Sequence, residues 1–558
     1  MKKDSRRIDF LLAFVINFIF AVIYVCFIRV MHETNDDMAL SLLVEGAYGA
    51  RSPYLVYQNV LWGKLLVALY QFIPQIKWYI ILIYMLIFAS FLGLVYALIR
   101  TQGRKVGTIV STIVLAFCGY NTYVIYQYSR VAAVVTACGM IVLFYAIEHT
   151  QDKLEKRLCI LYGTVISLWG SMLRFQMFAV AVVLVGGSIA LYKFWNLYKE
   201  KQEGWLKKIG TYVAVFGTVG VLSVGFYVVD RLHYSMDEEW SSFMEFNDAR
   251  TELWDYGFPN YQENAELYQS LGISESDFVY YDGWNLDIND VTIDDLHVLI
   301  DAKEARTFDI KGFFEKYPSS FMAISVFVVY LIAAGFAVLL DKKNLYFALY
   351  GFVAVMIFEM YFFYAGRYGI ARVDYGMWMA AFIALAYGVT GSLERFKEVA
   401  WKVVAVLVAL TLVIGVAGYS RTKNTRLDYT GVFKYFFEQV TPDKDHLYVM
   451  LILSPITYYG FGFWEACELG ELSNIYNVFG WESTMEVKES ILDNYGISNV
   501  YLDGINNEKV YFCPGSQVEQ LQNYIRENYN ENAVLVYEKD VSGIAVYSVK
   551  TLDVLESE

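Results

Sequence analysis

Apolar residues in this chain come in long unbroken blocks, not in the one-sided stripes of a soluble helix or the alternation of a half-buried strand. Eleven blocks stand out, at about 9–30, 78–99, 106–124, 131–148, 158–172, 175–195, 209–229, 318–340, 344–364, 376–393 and 400–418, each near the roughly 20 residues a helix needs to cross a bilayer. A twelfth segment, 53–74, is interrupted by Gln58, Asn59, Lys64 and Gln71. Making it a span would invert every later loop, so it reads as an amphipathic helix in the membrane interface. The first block is longer than a signal h-region and is not followed by a small-residue cleavage pattern, so it is expected to stay as an anchor.

Between the blocks, charge alternates. Lys2, Lys3, Arg6, Arg7, Arg100, Arg104, Lys105, Lys153, Arg157, Lys193, Lys207, Lys208, Lys342 and Lys343 all fall on one side if the N-terminus is cytoplasmic. Eleven spans then put the C-terminus outside, with three long outer segments: 31–77, 230–317 and 419–558. The last two are acidic, so the formal net charge of −14 averages two opposite compartments. No nucleic-acid partner is suggested, and the expected place is the cell membrane, multi-pass.

Segment 31–77 is expected to hold a short helix near 37–45, a turn at 46–53 and the interfacial helix. In 230–317, stretches 240–254 and 291–303 look helical, around a centre rich in Tyr, Trp, Asp and Asn. After residue 419 the runs Leu447-Tyr-Val-Met-Leu-Ile-Leu, Asn499-Val-Tyr-Leu, Ala533-Val-Leu-Val-Tyr and Gly543-Ile-Ala-Val-Tyr-Ser-Val read as strands, with helices near 487–495 and 516–529. The expected organisation is a membrane module 1–229 carrying loop 31–77, a loop domain 230–317, a second membrane module 318–418, and an extracytoplasmic α/β domain 419–558.

Candidate chemistry gathers at the outer surface. Asp36 and Asp37 follow the first span directly, where a carboxylate can take a proton from an acceptor while another substrate lies in lipid; such residues also commonly cap a helix that begins after them. The short outer connections contain four basic residues, Arg130, Arg174, Arg367 and Arg372, and no lysine. The planar fork of arginine suits phosphate, and pairing with nearby acids such as Asp374 is the plainer alternative. Glu359, inside the ninth block about a turn from its outer end, is a costly placement that marks a possible functional carboxyl or a structural pair with an outer arginine. Cys467 and Cys513 leave one disulfide open. No metal-ligand spacing, P-loop or dinucleotide fingerprint is present, so no cofactor is expected and a metal requirement stays undefined.

A first span followed at once by an acidic residue, two helices in the first outer loop, eleven spans and a soluble outer domain resemble the GT-C superfamily of membrane glycosyltransferases, which includes protein O-mannosyltransferases and the aminoarabinose transferases of lipid A. Thr34-Asn-Asp-Asp-Met, Gly46-Ala-Tyr-Gly and Gly366-Arg-Tyr-Gly-Ile-Ala-Arg-Val are similar also to multi-span proteins of bacterial surface-polysaccharide loci. The resemblance covers residues 1–418 and implies transfer of a sugar from a polyprenyl-phosphate carrier to a glycan, lipid or protein acceptor on the outer face. It places the catalytic acid at Asp36 or Asp37 and donor-phosphate arginines among Arg130, Arg174, Arg367 and Arg372. The Asp-Glu pair of the mannosyltransferases is Asp-Asp here, and the Lys-Pro-Pro motif of the aminoarabinose enzymes is absent. Trp254-Asp-Tyr-Gly is similar to an oligosaccharyltransferase signature but lacks its first Trp and precedes the eighth span, so it is set aside as coincidence. The competing class is a transporter or flippase of lipid-linked saccharides, which would place polar breaks within several spans; a noncatalytic envelope-assembly protein is the third.

Overall fold

In a computed structural model, the described residues are 2–200, 205–287, 291–320, 324–389, 433–451 and 462–557. The helices run α1 (Lys2–Val22), α2 (Asp36–Glu45), α3 (Val60–Phe72), α4 (Trp78–Gln102), α5 (Arg104–Val114), α6 (Tyr128–Glu148), α7 (Lys153–Leu173), α8 (Phe175–Ala181), α9 (Ser188–Glu200) and α10 (Trp205–Ser235). They continue with α11 (Glu238–Arg250), α12 (Ala265–Ser270), α13 (Glu275–Asp282), α14 (Ile293–Asp301), α15 (Ile310–Ser320), α16 (Ile324–Leu340), α17 (Leu345–Tyr364) and α18 (Ala371–Gly388). Ten of the eleven predicted blocks fall on helices, and the block at 400–418 lies outside the described residues.

Seven helices among the described residues are long and apolar enough to cross a membrane. Outward-facing Phe10, Leu11, Phe14 and Phe18 on α1, and Val213, Val221 and Val224 on α10, require a lipid surround. The other three blocks meet shorter or more polar helices. The first turns of α7 carry Lys153, Glu155, Lys156 and Arg157, α16 has 17 residues, and α18 opens with Arg372 and Asp374.

At the centre of the bundle, α6 is enclosed along nearly its whole length and packs closely on α7. The approach depends on glycine: a Cβ on Gly163 would lie 2.9 Å from the carbonyl of Gly139. At one end of the bundle, the basic side chains converge on three carboxylates. Asp9 holds Arg100 at 2.9 Å and Arg104 at 2.5 Å, Glu155 holds Arg6 at 3.3 Å, and Glu148 holds Lys193 and Lys208.

The opposite end carries α2 and α3. Segment 53–74 is helical only from Val60, because Asn59 Oδ1 accepts the Leu61 N–H and Asp230 accepts the Val60 N–H, which fixes the first turn there. At 13 residues, α3 is too short to span a bilayer. Helix α2 ends at Gly46, whose φ of 81° and N–H bonds to Leu42 and Leu43 form a left-handed cap.

The C-terminal domain is anchored at this turn. Gly470 N–H donates to Gly46 O at 2.9 Å, Leu472 N–H to Ala47 O at 2.7 Å, and Cys467 N–H to Glu45 at 2.6 Å, where Glu45 also pairs with fully buried Lys77 at 2.8 Å. Its sheet has strand order β4-β3-β5-β7-β6, with β3 (Leu447–Met450), β4 (Ile475–Asn477), β5 (Val510–Cys513), β6 (Ala533–Val541) and β7 (Ile544–Thr551). The first three are mutually parallel, and β7 runs antiparallel to β5 and β6. Helices Glu486–Asp493 and Val518–Asn528 match the two expected. The expected strand at 499–502 is instead a turn: Asn499 Oδ1 accepts the N–H groups of Tyr501 and Leu502, and Asp503 accepts those of Ser498 and Asn499. Cys467 and Cys513 are both free and buried, the Cys467 thiol facing Glu471 at 3.1 Å.

Candidate active site

The site is assembled by a two-residue parallel pairing, β1 (Met31–His32) with β2 (Ile125–Tyr126), reinforced by Glu33 N–H to Tyr126 O at 2.8 Å. This pairing ties the chain leaving the first span to the chain entering α6. It therefore brings Asp36 and Asp37 beside Tyr126, Tyr128 and Arg130. Neither aspartate caps α2 by side-chain hydrogen bonding: Asn35 is the N-cap residue, and both acids sit in the first turn, where the helix dipole favours negative charge.

The two carboxylates differ. Asp37 is fully buried; it accepts from Tyr79 Oη at 3.2 Å and from the Tyr128 N–H at 3.2 Å, with Tyr126 beside it. Burial pushes its carboxyl well above the usual carboxylate range, the charge of Asp36 adds to this, and the hydrogen bonds from Tyr126, Tyr128 and Tyr79 pull the other way. Asp36 is part-exposed. Its charge acts on Tyr57, Tyr128 and Arg372.

Two of the four arginines act on Tyr57 and Tyr128, and a third is linked to them through Asp255. Arg174 lies over the Tyr57 ring, 5.1 Å from its centroid, and its charge also reaches Tyr128. Arg372 lies in the fields of Asp36, Tyr128, Glu33 and Asp255. Arg367 pairs with Asp255 at 3.1 Å and lies over Tyr256. Its placement depends on a turn between α17 and α18 in which Gly366 and Gly369 adopt φ values of 82° and 71°. Arg130 is set deeper. Fully buried, it pairs with Glu33 at 2.6 Å, donates to the carbonyls of Asn121 and Ile125, and stacks 4.5 Å from the centroid of Tyr375.

Glu359 is buried among apolar side chains of α17 and forms no ion pair with an arginine among the described residues. Its neighbour is Tyr317 of α15, whose phenol lies in the fields of Glu359 and Asp374. A phenol contributed by the loop domain stands where an arginine was expected.

The loop domain supplies residues that no block pattern marked. Arg250, 2% exposed, donates to Tyr57 Oη at 2.8 Å and reaches Asp255 at 3.6 Å across a π-helical turn, Thr251–Asp255. Asp255 and Tyr256 belong to the Trp254-Asp-Tyr-Gly run set aside above, and they hold Arg367. The C-terminal domain adds Trp481, packed edge-on to Tyr57 at 4.9 Å. Arg250 is one of six lysines and arginines in segment 230–317, and nothing in the sequence sets it apart from the others.

The arrangement offers a part-exposed carboxylate beside guanidinium groups oriented by aromatic faces, which suits binding an anion next to a proton acceptor. Among the described residues, no three His, Cys, Asp or Glu side chains are grouped to hold a metal ion.

The fold and site together describe a polytopic helical protein with charged chemistry collected at one end of its bundle. Two crystal structures of ArnT from Cupriavidus metallidurans, one bound to undecaprenyl phosphate and one in the apo state, are similar to the chain at 10% identity and a TM-score of 0.42, over 96% of this chain and 97% of that one. No family model and no curated protein matches the chain. The reading of the site rests on its own side chains.

Proposed function

We propose that the protein is a membrane glycosyltransferase that moves a sugar from a polyprenyl-phosphate donor to an acceptor at the α2 end of the bundle. The observation that carries this reading is the shared environment of Asp36, Arg174 and Arg372 around Tyr57 and Tyr128. Asp36 is the general base: it takes the proton of an acceptor hydroxyl as that oxygen attacks the anomeric carbon and the lipid phosphate departs. Arg372 and Arg174 bind the phosphate and stabilise the charge that grows on it. Arg367, held by Asp255 and Tyr256, borders the same region.

Asp37 and Arg130 serve as positioning residues. Asp37 fixes Tyr79, Tyr126 and the first turn of α6, and Arg130 joins Glu33 to the end of the preceding helical segment. The other end of the bundle, with its Arg and Lys clusters, is assigned to the cytoplasm, which puts the site on the extracytoplasmic side.

The test is incubation of purified protein with a panel of polyprenyl-phosphate sugars, reading release of lipid phosphate. Wild-type protein should release it from at least one donor, and Asp36→Asn should not. Translocation of a lipid-linked saccharide without cleavage of the sugar–phosphate bond would replace the reading with the transporter class.

A further inference from the structure

A second concave site lies away from the arginines, between the loop domain and the C-terminal domain. Its volume is about 510 Å³, within the roughly 300–1,000 Å³ of ordinary ligand pockets. Its polar lining comes from Asp287, Tyr476, Ser483, Thr484, Asp493 and Ser498, and among the described residues no Lys, Arg or His lines it. Tyr476 donates to Asp287 at 2.9 Å, which holds that carboxylate in place. The remaining wall is aliphatic and aromatic, Phe246 included.

We propose that this cavity binds a neutral, hydroxyl-rich saccharide and forms the acceptor side of the transfer reaction, an inference that rests on the proposed function. Carboxylates accept sugar hydroxyl protons, and the apolar wall covers the C–H face of a ring. The absence of a lining cation disfavours an anionic ligand. Continuity with the arginine site comes from one stretch of chain. Tyr476, Ser483 and Thr484 line the cavity, while Trp481 between them packs on Tyr57, the phenol that receives Arg250.

The experiment uses the full chain in lipid nanodiscs, with maltotriose, cellotriose and chitotriose as neutral probes and trilysine as the cationic alternative, binding being read by calorimetry. At least one trisaccharide should bind. Val291→Trp, which fills the cavity from its part-exposed rim, should weaken it at least tenfold. Asp493→Asn, an exposed change compatible with folding, should weaken it by a smaller factor. Because the titration is run without any lipid donor, it reads acceptor binding independently of whether transfer occurs. Failure of all three trisaccharides to bind, unchanged affinity in both cavity variants, or binding of trilysine alone would overturn the proposal.

Discussion

The two ends of the helix bundle handle charge in opposite ways. At the basic end, cations and carboxylates saturate one another: Asp9 takes two arginines, Glu148 two lysines, and Glu155 an arginine together with the hydroxyls of Tyr96 and Tyr145. At the α2 end, Arg130 and Arg367 have carboxylate partners too, but the guanidinium groups also lean on aromatic faces, Arg130 on Tyr375, Arg174 on Tyr57 and Arg367 on Tyr256. The acid most deeply placed there, Asp37, is held by phenols and a backbone N–H in place of a cation. An end whose charges are mutually satisfied has little to offer a ligand. An end whose arginines are positioned by rings keeps donor capacity for an incoming phosphate.

Substitution at the α2 end should break this contrast most sharply. Asp36→Asn is expected to lower the transfer rate by about 10²–10⁴-fold, the usual contribution of a general base, with an unchanged thermal unfolding midpoint; a rate within twofold of wild type would remove the assignment. Arg372→Ala should cost about 10²–10³-fold in turnover, as loss of a charge-stabilising donor does, with Arg372→Lys in between. That series is read by initial rates at saturating donor.

Arg130→Ala should act on stability more than on chemistry. It removes a fully buried guanidinium that pairs with Glu33 in a mostly enclosed place, at a cost of about 3–5 kcal/mol, measurable as a lowered midpoint in detergent. Next in size is a pH effect from Asp37. Its folded carboxyl binds a proton more tightly than the unfolded one, so stability from this group is greatest at low pH and declines as pH rises above the ordinary carboxylate value. Asp37→Asn should flatten that decline between pH 5 and 8, as followed by melting temperature; parallel curves would contradict it. At the basic end, Arg104→Ala should be the mildest change, about 0–1 kcal/mol, because that side chain is half exposed and Asp9 keeps Arg100.

The long apolar blocks were legible because helix length and bilayer thickness are matched, and ten of them met helices. Arg174, Arg367 and Arg372 were picked out from the alternating loops alone, and two of them, Arg174 and Arg372, act on Tyr128 together with Asp36. What the linear pattern could not carry was the division of labour between adjacent aspartates. Successive helical residues point about 100° apart, so one acid of the pair turns into the protein and the other toward the arginines. Arg250 and Asp255 escaped notice because a loop domain folds back over the bundle, and composition does not record which loop residues return to it. Short strands such as β4 and β5 escaped because three or four residues set no period, whereas Asn499 turned a β-prone run into a turn through its side chain.

Binding of undecaprenyl phosphate to nanodisc-embedded protein, compared among wild type, Asp36→Asn and Arg372→Ala, tests the shared site most directly. Removal of the Asp36 charge should leave the affinity unchanged or raise it, since a like charge beside the phosphate is lost, and Arg372→Ala should weaken binding about tenfold or more. Equal affinity in all three proteins, or weaker binding in Asp36→Asn than in Arg372→Ala, would contradict the placement of carboxylate and guanidinium groups around one phosphate.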